Sequence, residues 1–300
     1  MYWSTQRKSV PLSELGYFNT IYLGTTQMEC DPSLIWGTTV ETDALEAFIA
    51  EQRQQTGLLI SPAHVLVRAV AESLRRHPEM NRRVIGRRVY QYDGVNVTMP
   101  MLNTRSGEAD TVFLRNADKM SLAQISETLW EEARAKALQV AAEKRHRTDL
   151  PAWKLRLREL GREFALLALR SSAWLGFLVY NWIRMPTIRK WQRELTGAGA
   201  FVNYLGFAGA PPLVVHKISH LPLNAYSVCI TMGRSDPQPV VENGQIVIRK
   251  QAHLFVRADH RYVDGNQTGE FVATLRKLLM APHSLLSTTE VTPRPQSRAA

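Results

Sequence analysis

Apolar and polar positions along this chain follow two rhythms, one helical and one alternating. In "LISPAHVLVRAVAESLRRHPEMN", Val65, Ala69, Val70 and Leu74 recur at helical spacing, Ser61 stands at the N-cap position, Pro62 opens the first turn and Pro78 closes the run. The spacing predicts a core helix. A long charged helix is predicted from about Ser121 to Lys144. Another is predicted over "NQTGEFVATLRKLLMAP", where Phe271, Leu275, Leu278 and Leu279 share a face and Pro282 is the stop. "RRVYQYDGVNVTMPML" and "ADTVFLRNA" are short β-branched and aromatic runs, broken at Asp93-Gly94 and near Gly107, and they predict strands. "PVVENGQIVIRKQAHLFVRA" predicts a hairpin, because Asn243-Gly244 accepts the positive φ angles of a type I′ turn. Helices and strands mix without a strict βαβ rhythm, no internal repeat is present, and neither GxGxxG nor GxxxxGK[ST] occurs.

Composition narrows the class. A chain of 300 residues with 45% hydrophobic positions can bury a sizeable core, so disorder is not the default expectation. The final polar, Pro-containing "STTEVTPRPQSRAA" predicts a disordered tail at 287–300. Cys30 and Cys229 form no CxxC or metal spacing, and "MYWSTQRKSV" has no apolar run of the signal-peptide kind, so a cytoplasmic protein is expected.

The net charge of +10 implies an anionic partner, and it is concentrated: residues 144–194 hold twelve Lys or Arg against four acids, a local excess of +8. The longest uncharged run there, 171–183, is shorter than a bilayer span. A helical insertion over 144–198 is therefore expected, either a cap packed on protein or, through 151–193, a helix lying on a membrane surface. No nucleic-acid module is present, and the aromatic residues sit in apolar helical runs, so nucleic acid is not expected as a partner. His216 and His220 in "HKISH" are four apart, but no third ligand accompanies them and the neighbouring prolines disfavour a long helix. No metal is expected.

The candidate chemistry lies in "FVRADHRYVDGNQTGEFV". It places His260 at a strand end and Asp264-Gly265 four residues later, before a helix. An imidazole can take a proton from a hydroxyl or thiol as that group attacks a carbonyl, provided that it is held in one tautomer and aimed into a cleft. A tight turn could hold it so, with Asp264 bonding the local backbone. HxxxDG by itself is a weak signal, and read alone it favours a solvent-exposed turn histidine.

Together with "PVVENGQIVIRKQAHLFVR", the segment "ADHRYVDGNQTGEFVATLRKLL" resembles the end of the catalytic domain of the 2-oxo-acid dehydrogenase acyltransferases, which group with chloramphenicol acetyltransferase. Upstream, "HPEMN" resembles the family's Pro-x-x-Asn turn, "FLRNADKMSLAQI" its LRNADxxSLxxI segment and "FVNYLGFAGA" its TISNLGxxG segment. The resemblance covers most of the chain in the family's order, with the basic insertion just before "FVNYLG". It implies an α/β fold of the chloramphenicol acetyltransferase type, a two-layer arrangement of mixed sheet and helices, as one catalytic domain over 1–286. It further implies a homotrimer with its active site between subunits. His260 would be the general base, and acyl-coenzyme A or an acyl carrier protein the donor, with no tightly bound cofactor. Asp264 would shape the turn.

Three departures qualify this picture. Asn203 stands where the family usually has a Ser or Thr that stabilises the tetrahedral oxyanion; its amide can donate to an oxyanion, or it can be a structural cap, and both readings stay open. The stretch before the catalytic region is too short for a lipoyl or subunit-binding domain, so the expected acceptor is a small molecule or another carrier. The insertion suits a longer acyl chain or an amphipathic acceptor, and its basic residues suit the phosphates of coenzyme A or a pantetheine arm. The competing class is a non-catalytic trimeric scaffold or membrane-associated binding protein with the same fold.

Overall fold

A computed structural model describes residues 7–9, 33–85, 88–102, 109–148, 199–206 and 226–286. The predicted tail, the His216 and His220 pair, Cys30 and most of the basic insertion lie outside the described residues.

The described strands are β1 (Arg7–Ser9), β2 (Ser33–Glu41), β3 (Arg82–Ile85), β4 (Arg88–Tyr92), β5 (Val97–Leu102), β6 (Ala109–Leu114), β7 (Ala200–Tyr204), β8 (Val228–Glu242) and β9 (Gln245–Asp259). The helices are α1 (Asp43–Thr56), α2 (Pro62–Arg76), α3 (Leu122–Thr148) and α4 (Gly265–Met280). Six strands form the main sheet in the order β2-β9-β8-β7-β5-β6, and β1-β4-β3 form a small second sheet. The main sheet is mixed: β7 runs parallel to β5 and β8, and the remaining pairs are antiparallel.

Strand alternation decides which face carries the core. Val97, Val112, Leu114, Ala200, Val202, Val228, Ile230, Leu254 and Val256 turn to the helices and join Leu66, Val70 and Leu74 of α2 with Phe271 and Leu275 of α4 in one buried cluster. Phe201, Asn203, Cys229, Thr231 and Arg257 occupy the alternate positions and face the other side of the sheet. Phe201, Cys229, Thr231 and Arg257 are nevertheless buried.

The hairpin forms at Asn243-Gly244, with φ angles of 50° and 80°, as a type I′ turn requires. The last pair between β2 and β9 is Glu41 with Gln251, so the first six residues of β9 pair with β8 alone. Val241, Ile246 and Ile248 near its tip are exposed.

Helix α2 departs from a simple amphipathic pattern. The spacing of Val65, Ala69, Val70 and Leu74 predicts one buried stripe, yet every residue from Ala63 to Leu74 is buried, Arg68 and Glu72 included. The polar face is tolerable because Glu72 accepts hydrogen bonds from Arg75 Nε and Nη2 at 2.9 and 2.7 Å and from Arg76 Nε at 2.7 Å, with Arg68 Nη1 at 3.8 Å. Burial alone would raise the Glu72 carboxyl; the bonds from Arg75 and Arg76 outweigh it and hold the group below the usual carboxylate range.

The start of α2 is a capping box with an unusual partner. The Ser61 N–H donates to His64 Nδ1 at 2.8 Å, and the Ser61 side chain accepts from the His64 backbone. Burial, helped by the Arg53 charge, lowers the His64 pKa from 6.5 to about 4. The neutral ring belongs to the folded state. Stability from this group is complete above pH 6.5, where the unfolded chain is also neutral, and is lost as the pH falls through 4. The loss amounts to about 3 kcal/mol. His64→Gln keeps an acceptor for the Ser61 N–H without a titrating ring. Denaturant unfolding at a series of pH values should show the wild type losing stability relative to this variant between pH 6.5 and 4; parallel curves would refute the assignment.

Candidate active site

The residues around His260 are held by three neighbouring elements. Strand β9 ends at Asp259, whose carboxylate binds Arg261 through the backbone N–H at 3.0 Å and through the guanidinium, with Nε at 2.9 Å from Oδ1. His260 projects from the first turn after the strand and is half-buried. Its Nδ1 lies 2.8 Å from the Val263 carbonyl oxygen. A carbonyl only accepts, so Nδ1 carries a proton, and in the neutral ring Nε2 is then the basic nitrogen. That is the protonation pattern a general base needs.

Asp264 caps the helix. Its Oδ1 accepts the Gln267 N–H at 2.8 Å, and Gln267 Oε1 accepts the Asp264 N–H at 3.1 Å, a complete capping box. The Thr268 hydroxyl adds a bond to the Asp264 carbonyl at 2.8 Å. The carboxylate also lies at the positive end of the α4 dipole. The far end of the same packing is tied by His77, whose Nε2 is 2.8 Å from the Thr274 hydroxyl and joins the C-terminus of α2 to α4.

Asn203 lies elsewhere. It pairs with Thr231 of β8, which pairs with Phe255 of β9, and His260 comes five residues after Phe255. At roughly 3.3 Å per residue and 4.8 Å per strand, the two Cα atoms are on the order of 19 Å apart, beyond the reach of both side chains to one carbonyl. The chain therefore brings His260 and Asp264 together but not Asn203. Within a single chain Asn203 is no partner of His260. It shares its sheet face with Phe201, whose ring is 5.0 Å from that of Tyr226.

Sequence reasoning did not assign a role to Asp259, Arg261 or Tyr262. The opposite charges flanking His260 are a legible signal for the first two. Tyr262 gives none: its hydroxyl donates to the carbonyl of Ser227, 35 positions away, at 2.9 Å. Among the described residues there is no group of three or more His, Cys, Asp or Glu able to hold a metal ion, and no helix long and apolar enough to cross a membrane.

The profile of the family described as 2-oxoacid dehydrogenases acyltransferase (catalytic domain) matches residues 27–145 and 222–287. The chain belongs to this family. The unmatched stretch between those segments, 146–221, holds most of the basic segment 144–198. Among relatives of this acyltransferase-family chain, the dihydrolipoyllysine-residue succinyltransferase component of the 2-oxoglutarate dehydrogenase complex from Haemophilus influenzae is 27% identical over 220 residues, covering 73% of this chain and 40% of that protein. The chain thus spans well under half the length of that relative.

Two solved structures share the fold. The dihydrolipoamide acetyltransferase of Azotobacter vinelandii matches with a TM-score of 0.55 at 19% identity, covering 93% of each chain. Chloramphenicol acetyltransferase matches with a TM-score of 0.51 at 12% identity, covering 91% of this chain and 99% of the other. The fold is accordingly the α/β architecture of those enzymes.

The geometry assigns Asp264 to the cap, and this is testable. Asp264→Asn preserves an N-cap acceptor and should unfold within about 0.5 kcal/mol of the wild type, whereas Asp264→Ala should cost about 1 kcal/mol. Denaturant unfolding measures both. An Asn variant of unchanged stability but lost activity would show that the carboxylate charge itself acts in the reaction.

Proposed function

We propose that this chain is an acyltransferase that moves an acyl group from a thioester to a hydroxyl, amine or thiol acceptor by direct transfer, with His260 as general base. The donor is acyl-coenzyme A or a carrier-bound acyl group. The observation that carries this reading is the Nδ1 bond to Val263, which puts a proton on Nδ1 and so makes Nε2 the basic nitrogen of the neutral ring.

As the acceptor attacks the thioester carbonyl, its proton passes to Nε2 and an oxyanion forms on the carbonyl oxygen. The carbon–sulfur bond then breaks. The departing thiolate takes the proton back from His260, so acylated acceptor and free thiol are the products and no acyl-enzyme forms. Asn203 supplies the oxyanion donor from a neighbouring copy, since the Asn203 of the same chain is too distant. The assembly proposed is a homotrimer, with the site between subunits.

The Azotobacter acetyltransferase supports this assignment by analogy: a serine, a histidine and an asparagine have been investigated there for roles in the catalytic mechanism, the last two spaced four residues apart. His260 and Asp264 have the same spacing, and Asn203 stands for the serine. The dihydrolipoyl group named in the Haemophilus relative belongs in an acceptor panel beside alcohols and amines. The scaffold reading rests on Asn203 replacing the hydroxyl residue.

Release of free thiol from short- to long-chain acyl-coenzyme A donors across that panel tests the proposal. Acceptor-dependent release should fall about 10²- to 10⁴-fold in His260→Ala and about 10²- to 10³-fold in Asn203→Ala. Equal release by wild type and His260→Ala would favour the scaffold. Co-assembled His260→Ala and Asn203→Ala chains should recover activity, because some sites then pair an intact His260 with an intact Asn203. No recovery in a verified mixed assembly would confine the site to one chain.

A further inference from the structure

We propose that Tyr262 is a positioning residue: its buried hydroxyl straps the loop after β9 to the Ser227 carbonyl, and so holds the Val263 carbonyl where it keeps His260 in the Nδ1–H tautomer. The inference rests on His260 being the base and adds the device that keeps it competent.

The loop Asp259–Asp264 hangs between two fixed ends. At one end β9 is in register with both β2 and β8, Asp259 opposite Ser33 and Ala258 opposite Val228. At the other, Asp264 is locked into the capping box of α4. Between them lie the ring that must be aimed, at His260, and the oxygen that must hold it, at Val263. Neither residue belongs to a ladder or a helix. The Asp259–Arg261 pair restrains the first half of the loop, with the Arg261 side chain 19% and the Asp259 side chain 13% exposed. Two neighbouring side chains of the loop reach the core, Val263 at 0% and Tyr262 at 1% exposed, and the Tyr262 hydroxyl adds a directed bond, meeting the Ser227 carbonyl at 2.9 Å.

Ser227 is a rigid anchor. It is 2% exposed and immediately precedes Val228, which pairs with Ala200 of β7 on one side and Ala258 of β9 on the other. The Val228 N–H donates to the Gly199 carbonyl at 3.0 Å, which fixes the Ser227–Val228 peptide and the direction of the Ser227 oxygen. Burial, reinforced by the Asp259 charge, raises the Tyr262 pKa well above its ordinary value, so the hydroxyl remains a donor throughout the working pH range. Losing it would strand the Ser227 carbonyl and let the Tyr262–Val263 peptide turn. Nδ1 would then lose its acceptor, and both tautomers of His260 would become populated.

Tyr262→Phe removes the hydroxyl and keeps the ring in its place. Val67→Ala, in the fully buried middle of α2, serves as a control that lowers stability away from the loop. In the full chain, nitrogen NMR of the His260 ring should show the single Nδ1–H tautomer in the wild type and the Val67→Ala control, and a mixture in Tyr262→Phe. The kcat for thiol release in Tyr262→Phe should fall about tenfold, roughly the value of one buried hydrogen bond, with KM for the donor within about twofold. The acid limb of its pH–rate profile should shift as well. A wild-type tautomer signal in Tyr262→Phe overturns the proposal, as does a Val67→Ala control that changes kcat and the profile equally. If His260→Ala itself keeps full activity, the general-base reading fails, while the tautomer signal still judges the strap independently.

Discussion

The pairing of β8 on both sides is the constraint on which the other features depend. Val228 is held between Ala200 and Ala258, and from there the register runs outward to β7, where Asn203 sits, and to β9, which ends at His260. A slip of one residue in either ladder would turn Ile230 and Leu254 away from the helices and bring Thr231 and Phe255 into the core. The apolar face and the position of the candidate base are thus consequences of one alignment. The Asn243–Gly244 turn sets the β8–β9 register as far as Ser235, and an irregularity between Met232 and Ser235 shifts it by one residue before the Val228–Ala258 pair.

Beneath that sheet, α2 shows how charge can be stored in a core. Its middle is buried on all sides, and Arg68 and Glu72 would be costly there if isolated. Glu72 is instead held by arginines three and four residues further along the same helix, a spacing that places all of them on one face. The arrangement leaves the remaining circumference apolar for the sheet, α3 and α4. The same helix begins with a histidine in a role that a Glu or Gln commonly fills, which ties its first turn to the neutral state of that ring.

The candidate site uses local bonds for direction and distant ones for rigidity. Val263 orients His260, Asp264 starts α4, and Asp259 binds Arg261, all within a few residues. Ser227 lies on the opposite side of that loop and connects it to the strand pair that also carries Asn203. His260 and Asn203 are therefore placed by the same ladder while remaining too far apart to act on one carbonyl within one chain. The proposed pairing of His260 with Asn203 therefore requires a second copy of the chain.

Much of this was legible in the residues themselves. Core helix α2, the hairpin turn, α4 with its apolar face and the strands around Asp93-Gly94 follow from periodicity and turn chemistry, because they are set by interactions within a few positions. The "DHRYVDG" stretch marked His260 and Asp264 for the same reason. The register that separates Asn203 from His260, the burial of Arg68 and Glu72, and the bond from Tyr262 to Ser227 were decided only by the tertiary structure. Each depends on segments tens of residues apart meeting in space, and no local spacing encodes which strand lies beside which. Sequence alone marked many of the elements and the residues proposed for the chemistry; the sheet order decided which of those residues meet within the chain.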